Sequence, residues 1–348
     1  MKNQNPFTLT FGKQPVEYIS RHENTNTVMH AFSGDNPMCQ TYLIEGVRGS
    51  GKTVLMTTIS KELESSGDWV VADILPNGDL LDALANRLAD IVRANKLHLP
   101  SGVSVSLAGA KVEWSDKQAP QDSIGIVEEL LRVLQKKKKK VLITIDEVEP
   151  GKNMRKFAGE FQILVRKDFP VFLIMTGLYE NINSVQNDKT LTFLLRTPKI
   201  SLEPLSEYQI SNQYESALGV SIETANDLAA MTKGYAFAFQ ALGLLYFEKE
   251  ESETLEDILP TLDSMLDDYV YKKIWESLSA KDREIIKAVP ENGIKTKDIC
   301  DVLGMDASVF SKYRDRLMKK GLLRSPQYGY VEIALPRFSY IAQRYRIH

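Results

Sequence analysis

A loop of eight residues limits what this chain can fold into more than any other stretch. Gly46-Val47-Arg48-Gly49-Ser50-Gly51-Lys52-Thr53 follows Thr41-Tyr42-Leu43-Ile44-Glu45, a run with the character of a buried strand. A helical pattern over 53–63 comes next and is expected to turn Val54, Leu55 and Ile59 inward. The spacing GxxxxGK[ST] is that of a phosphate-binding loop. Glycines let successive backbone N–H groups point inward, and the following helix directs its positive dipole end at the phosphates. The expected ligand is ATP or ADP, with Gly46, Arg48, Gly49, Ser50, Gly51, Lys52, Thr53 and Val54 against it. Lys52 is expected to reach the β- and γ-phosphates and Thr53 to ligate Mg2+.

Hydrolysis needs a second half to such a site, and Val141-Leu142-Ile143-Thr144-Ile145-Asp146-Glu147 supplies one. It reads as a buried parallel strand ending in two carboxylates, at the sheet end where a phosphate loop also lies. Asp146 is assigned to the metal and Glu147 to polarising the attacking water. A further apolar strand, Val171-Phe172-Leu173-Ile174-Met175, ends at Thr176-Gly177. Thr176 holds the lytic water or senses phosphate loss, or else caps the Gly177 turn. Arg196, just before the strand-like Lys199-Ile200-Ser201-Leu202, either reaches a γ-phosphate in its own or a neighbouring subunit or is a surface arginine in a salt bridge.

Strands at 68–75 and 141–147 alternate with helical stretches such as 79–97, which implies a parallel sheet with helices on both faces. Alternation over 102–114 with a central Ala108-Gly109 reads as a hairpin inserted at about 101–115, either a structural flap or a docking surface. Five lysines, Lys136 to Lys140, precede the Asp-Glu strand. They read as a solvated helix end or as a polyanion patch. Residues 203–265 lack strand signals and carry helical periodicity, with Ile222, Ala225, Leu228 and Met231 on one face.

The two cysteines, Cys39 and Cys300, are too few and too far apart for a disulfide framework or a metal site. No apolar run is long enough for a membrane span, and the polar start lacks the apolar core of a signal peptide. The expectation is a cytoplasmic protein without membrane contact. Charge is divided unevenly along the chain. Residues 271–348 hold 16 Lys and Arg against 9 Asp and Glu, a net of +7, whereas the whole chain has a net charge of −3. That asymmetry points to a separate polyanion-facing module.

Two further motifs accompany the loop and the Asp-Glu strand. Ile19-Ser20-Arg21-His22-Glu23 precedes the loop, and Thr232-Lys233-Gly234-Tyr235-Ala236-Phe237-Ala238-Phe239-Gln240 follows the sheet. Together these segments resemble an AAA+-type ATPase of the branch that includes the archaeal origin-recognition initiators and the STAND and archaeal-ATPase groups. The first resembles that branch's pre-loop motif, and the resemblance implies that Tyr18, Ile19 and Arg21 border the adenine. The second is similar to the lid motif Gly-Tyr-Pro-x-x-x-Gln, with Ala236 where the proline stands. The branch's lid arginine has no counterpart in this sequence.

The C-terminal stretch extends the likeness. Helical patterns over 280–289, 296–303 and 307–320, a turn at Gly304-Met305-Asp306, and strands around Ser325-Pro326-Gln327-Tyr328-Gly329 read as a winged helix-turn-helix. Asp306 is expected to cap the third helix, with Val309, Phe310, Tyr313 and Leu317 on its inner side. For duplex DNA, Ser308, Ser311 and Lys312 would face base edges, and Arg316, Lys319, Lys320 and Arg324 the phosphates. Winged helices also dock proteins, so a protein partner or a homo-oligomer stays open.

The expected architecture is α/β. A lead-in over 1–40 borders the nucleotide site, a P-loop ATPase core with a parallel sheet spans 41–202, a small helical lid spans 203–268 and a winged helix-turn-helix spans 269–348. The expected function is slow Mg-dependent ATP hydrolysis coupled to DNA binding, or a signalling or defence ATPase whose winged helix contacts protein.

Overall fold

The computed structural model describes residues 4–10, 15–98, 103–105, 112–114 and 122–347. Two compact units divide the chain. One comprises Arg21–Glu45 and Lys52–Ser201, the other Met1–Ser20, Gly46–Gly51 and Leu202–His348. Among the described residues no helix is long and apolar enough to cross a membrane.

The first unit is built on strands β1 (Thr41–Glu45), β2 (Trp69–Ile74), β3 (Val103–Val105), β4 (Val112–Trp114), β5 (Lys140–Ile145), β6 (Val171–Gly177) and β7 (Lys199–Ser201). Five of them form one sheet in the order β2-β5-β6-β1-β7, with every neighbouring pair parallel. β1 and β6 are buried along their whole length, as the near-continuous apolar runs of a doubly covered parallel sheet require. Leu43, Ile143 and Leu173 share a core with the amphipathic helices Leu80–Ala94, Ser123–Lys136 and Lys152–Arg166. Alternate residues carry the other face, where Phe32, Tyr42, Trp69 and Phe172 form an aromatic cluster with helix His22–Phe32. Helices therefore cover both faces, which is the expected α/β architecture.

β3 and β4 pair antiparallel with Val103 opposite Trp114, as the hairpin reading requires, while its connecting residues lie outside the described ones. The lysine run is not wholly solvated. Lys140 Nζ donates to the Gly34 carbonyl at 2.7 Å and lies 5.5 Å from the centre of the Trp69 ring, and Lys139 bonds the Gly67 carbonyl. Lys136, Lys137 and Lys138 are exposed. Val54 is half-buried rather than turned into the core, which Leu55 and Ile59 do occupy.

The second unit is mostly helical. Helices Glu207–Leu218, Ile222–Thr232, Ala236–Glu248 and Leu255–Leu266 precede a π turn at Asp267–Tyr271 and helix Lys272–Glu276. Helix Ala280–Ala288 leads to β8 (Ile294–Lys295), helices Thr296–Leu303 and Ala307–Lys319, β9 (Leu323–Arg324) and β10 (Tyr330–Ile333). The three short strands form an antiparallel sheet in the order β8-β10-β9. One continuous apolar core runs from Phe7 through Tyr214, Phe239 and Tyr271 to Phe310 and Phe338.

Several expectations are corrected in this unit. Phe7 is buried against helix Ala236–Glu248, where a Cβ on Gly243 would lie 2.6 Å from its ring. Ile222 is exposed, because it is the first residue of its helix, after the Ser221 cap. Asp306 occupies the cap position of helix Ala307–Lys319 without a side-chain cap bond. Val309 is 40% exposed, whereas Phe310 and Leu317 carry the buried side of that helix.

Two ion pairs, one with a buried carboxylate, join the ends of this core. Asp263, whose side chain is 3% exposed, is bound by the Arg337 guanidinium through two nitrogens, one at 2.7 Å from Oδ2. The Asp263 bond holds the Arg337 pKa above its ordinary value against the opposing effect of burial. Lys233, at φ 48°, pairs with Glu291 at 2.7 Å and donates to the Ile333 carbonyl at 3.1 Å. Removing one member of a buried pair leaves the other uncompensated. Asp263→Ala should therefore lower unfolding free energy by about 2–4 kcal/mol, somewhat under the fully buried figure because Arg337 keeps partial contact with water. Urea denaturation measures it, and a change below about 0.5 kcal/mol would show that the pair does not hold the unit together.

Candidate nucleotide site

The carboxyl ends of β5 and β6 bring four of the expected site residues together. β6 lies between β1 and β5, so its last residues stand beside the end of the Asp-Glu strand. Thr53, in the first turn of helix Lys52–Ser65, donates its hydroxyl to Asp146 Oδ2 at 2.8 Å. Thr176 donates its own hydroxyl to the other oxygen, Asp146 Oδ1. Both carboxylate oxygens are thus held by hydroxyls from separate elements.

Thr176 is fully buried and does more than bind Asp146. Its hydroxyl accepts the Glu147 N–H at 3.1 Å and its carbonyl accepts the Val148 N–H at 2.8 Å. These two bonds turn the chain out of β5. Glu147 adopts φ 53°, a left-handed conformation unusual for a residue with a side chain, and its side chain is exposed. The hydroxyl's donor goes to Asp146 and it accepts from Glu147.

Lys52 is buried at the start of its helix, and the Thr53 hydroxyl and Asp146 carboxylate are hard oxygen donors of the kind magnesium takes beside phosphate oxygens. Arg196 ends a 3-10 turn, Thr192–Arg196, is exposed, and has no ion pair among the described residues, contrary to the salt-bridge alternative. Arg21 precedes helix His22–Phe32 at its cap position without a side-chain cap bond.

The remaining loop residues belong to the helical unit. Gly46 is needed by close approach, since a Cβ there would lie 2.6 Å from the Ser50 hydroxyl and 3.3 Å from Leu202 Cβ. Gly49 and Gly51 have φ of 77° and 93°, in the region that favours glycine. Ser50 N–H closes a turn to the Val47 carbonyl at 3.2 Å. Tyr235 donates its hydroxyl to the Arg48 carbonyl at 2.6 Å, and Phe237 N–H donates to the Gly49 carbonyl at 3.1 Å. A Cβ on Gly49 would clash with that tyrosine hydroxyl and lie 3.1 Å from Phe237 Cβ. Burial pushes the Tyr235 phenol well above its ordinary pKa, with nearby Arg48 pulling weakly the other way, so the hydroxyl remains a donor. Tyr235 and Phe237 stand in the lid motif, whose sequence does not by itself indicate these contacts. The available signal was Gly49, a glycine at a position where the loop pattern permits any residue. Ile19 is half-buried against this unit's core.

The proposed DNA face is reduced by its own surroundings. Arg316 binds Asp282, an almost wholly buried carboxylate, and lies 4.8 Å from the centre of the Tyr313 ring. Arg324 binds Glu332. Ser308, Lys312 and Lys319 are exposed, and Ser311 is half-buried.

A five-stranded parallel sheet with this strand order, a P-loop and a helical unit after it define the AAA+-type P-loop fold. The solved ORC2 protein of Aeropyrum pernix, in its ADPNP-ADP complexes, shares that fold at TM-score 0.60, with 14% identity over 96% of each chain. Cdc6p from Pyrobaculum aerophilum matches at TM-score 0.50, with 13% identity over 96% of each chain. Residues 268–341 match the model of a domain of unknown function, DUF8462. No curated protein matches. The fold expected from the loop, the Asp-Glu strand and the two flanking motifs is the one observed.

Removing the Thr176 hydroxyl while keeping the side chain's shape isolates its role. Thr176→Val leaves the part-buried Glu147 N–H and one Asp146 oxygen without that partner, so it should cost about 1–3 kcal/mol in unfolding free energy. A urea curve superposable on wild type would show that water replaces the hydroxyl.

Proposed function

We propose that the chain is a Mg-dependent, ATP-hydrolysing switch whose C-terminal module, read as a winged helix, contacts duplex DNA. The observation that carries the nucleotide part is the Thr53–Asp146 hydrogen bond of 2.8 Å, which joins the residue after the loop lysine to the end of β5. The Aeropyrum pernix ORC2 protein, of the same fold, was solved with ADPNP and ADP. Magnesium bound there would neutralise phosphate charge and orient the γ-phosphate.

In this reading Gly46, Arg48, Gly49, Ser50, Gly51 and Val54 line the phosphates, with Ile19 and Arg21 toward the base. Lys52 holds the β- and γ-phosphates, and Thr53 and Asp146 hold the metal. Glu147, exposed at the strand end, accepts a proton from water as the water oxygen bonds to phosphorus and the β–γ bridge breaks, leaving ADP and phosphate. Thr176 keeps Asp146 and the Glu147 backbone in position. Arg196 is available to a γ-phosphate of its own or a neighbouring subunit.

Glu147→Gln should keep ATP affinity and lower turnover by about 100-fold or more, as loss of a positioned base does. Phosphate release under single-turnover conditions measures it. Turnover at the wild-type rate removes Glu147 from the chemistry.

The DNA part rests on the +7 of residues 271–348 and on exposed Ser308, Lys312 and Lys319. A second reading, protein docking or self-assembly, is favoured by Val302 and Val309, which are 67% and 40% exposed on the same pair of helices. Salt titration separates them. Duplex affinity should fall as salt rises, and reversing Lys312 and Lys319 to Glu should reduce the log-log slope by about 2. Absence of duplex binding at about 50 mM salt, with or without ATP, transfers the module to the protein-docking reading.

A further inference from the structure

The helical unit grips the phosphate loop by its carbonyls. Tyr235 Oη donates to the Arg48 carbonyl at 2.6 Å and Phe237 N–H to the Gly49 carbonyl at 3.1 Å, so two consecutive loop peptides are fixed from the one stretch Tyr235-Ala236-Phe237. A trans peptide is planar, with its N–H opposite its C=O. Holding the Arg48 and Gly49 carbonyls therefore turns the Gly49 and Ser50 N–H groups away from Tyr235 and Phe237. The Ser50 N–H does point across the loop, to the Val47 carbonyl. That bond closes the loop's turn and engages the Ser50 N–H, which leaves the Gly49 N–H as the one of the two that a phosphate-binding nest would offer to an anion.

Three features make the grip stiff. Tyr235 is buried at the cap position of helix Ala236–Glu248, and its ring stacks near Tyr271, with centroids 6.3 Å apart. Phe237 stands in the first turn of that helix, where an N–H has no intrahelical acceptor and is free to serve the loop. Gly49 has no Cβ, and only a glycine there admits the Tyr235 hydroxyl to the loop backbone.

We propose that Tyr235 and the Phe237 N–H are positioning groups that preset the loop's N–H nest, so that the lid sets affinity for the β-phosphate rather than for the nucleoside. This rests on the nucleotide reading above. It goes beyond it in giving a binding role to a tyrosine and a backbone amide that need not touch the nucleotide. Preorganised donors bind better than donors that must be ordered on binding.

Tyr235→Phe deletes one hydrogen bond and keeps the ring. ADP and ATP should bind about 3- to 10-fold more weakly, the effect of one such bond. AMP, which lacks a β-phosphate, should bind as it does to wild type, and melting temperature without nucleotide should move by less than about 3 °C. Phe237→Pro, compared with Phe237→Ala, deletes the second donor at a helix position that tolerates proline, and should weaken ADP against the same AMP control. Calorimetric titration of the full chain with ADP and AMP reads all of these. Equal loss of AMP and ADP, or wild-type ADP affinity in both Tyr235→Phe and Phe237→Pro, overturns the inference. A wild-type chain that binds neither ATP nor ADP instead overturns the nucleotide reading on which it stands.

Discussion

The Asp146 carboxylate is the point on which the sheet unit's functional end depends. One oxygen takes the hydroxyl of Thr53, the other that of Thr176, and Thr176 in turn accepts the Glu147 N–H. A carboxylate bound through both oxygens has little rotational freedom, so a single side chain ties helix Lys52–Ser65 to β5 and β6. The left-handed Glu147 follows from it. A non-glycine residue keeps positive φ only where surrounding bonds over-determine it, and here the N–H groups of Glu147 and Val148 are both taken by Thr176.

The helical unit applies the same economy to a different element. Its core is continuous from Phe7 to Phe338, and Asp263, Arg337, Lys233 and Glu291 bond segments far apart in sequence. Gly234, at φ 73°, brings the chain so close that a Cβ would lie 2.5 Å from the Leu205 carbonyl. That contact fixes the start of the segment carrying Tyr235 and Phe237. The aromatic residues reach the loop carbonyls because the glycine before them sets the backbone.

Much of this was legible in the sequence, for a physical reason. Strands buried on both faces are written as apolar runs, so β1, β5 and β6 and the carboxylates at the end of β5, Asp146 among them, could be read directly, while Thr53 came from the loop spacing. Where the reading differs from the structure, the deciding partner lies elsewhere in the chain. Arg316, placed near phosphates by the winged-helix reading, binds Asp282, 34 residues earlier on another helix. Val309 falls on the apolar side by periodicity, and nothing in one helix indicates that it is 40% exposed. Thr176 was placed correctly at the strand end, but the direction of a hydroxyl's bonds is a three-dimensional fact.

The distribution of cations in the C-terminal stretch bears on what its surface can recognise. Six of the seven arginines in 271–348, Arg283, Arg314, Arg316, Arg324, Arg337 and Arg344, bond carboxylates, carbonyls or rings within the helical unit, while Arg346 is exposed. Lys295, Lys297, Lys312 and Lys319 are exposed. Arginine's planar fork suits bidentate pairing with a carboxylate or a guanine edge, whereas lysine is a compact, hydrated point charge. A face whose arginines are engaged internally and whose lysines face water is suited to phosphates more than to base edges. Under the DNA reading the contact is then dominated by counterion release, with strong salt dependence and weak discrimination between sequences. Selectivity would have to come from a second chain or a partner protein, and exposed Val302 and Val309 provide apolar surface on the same pair of helices.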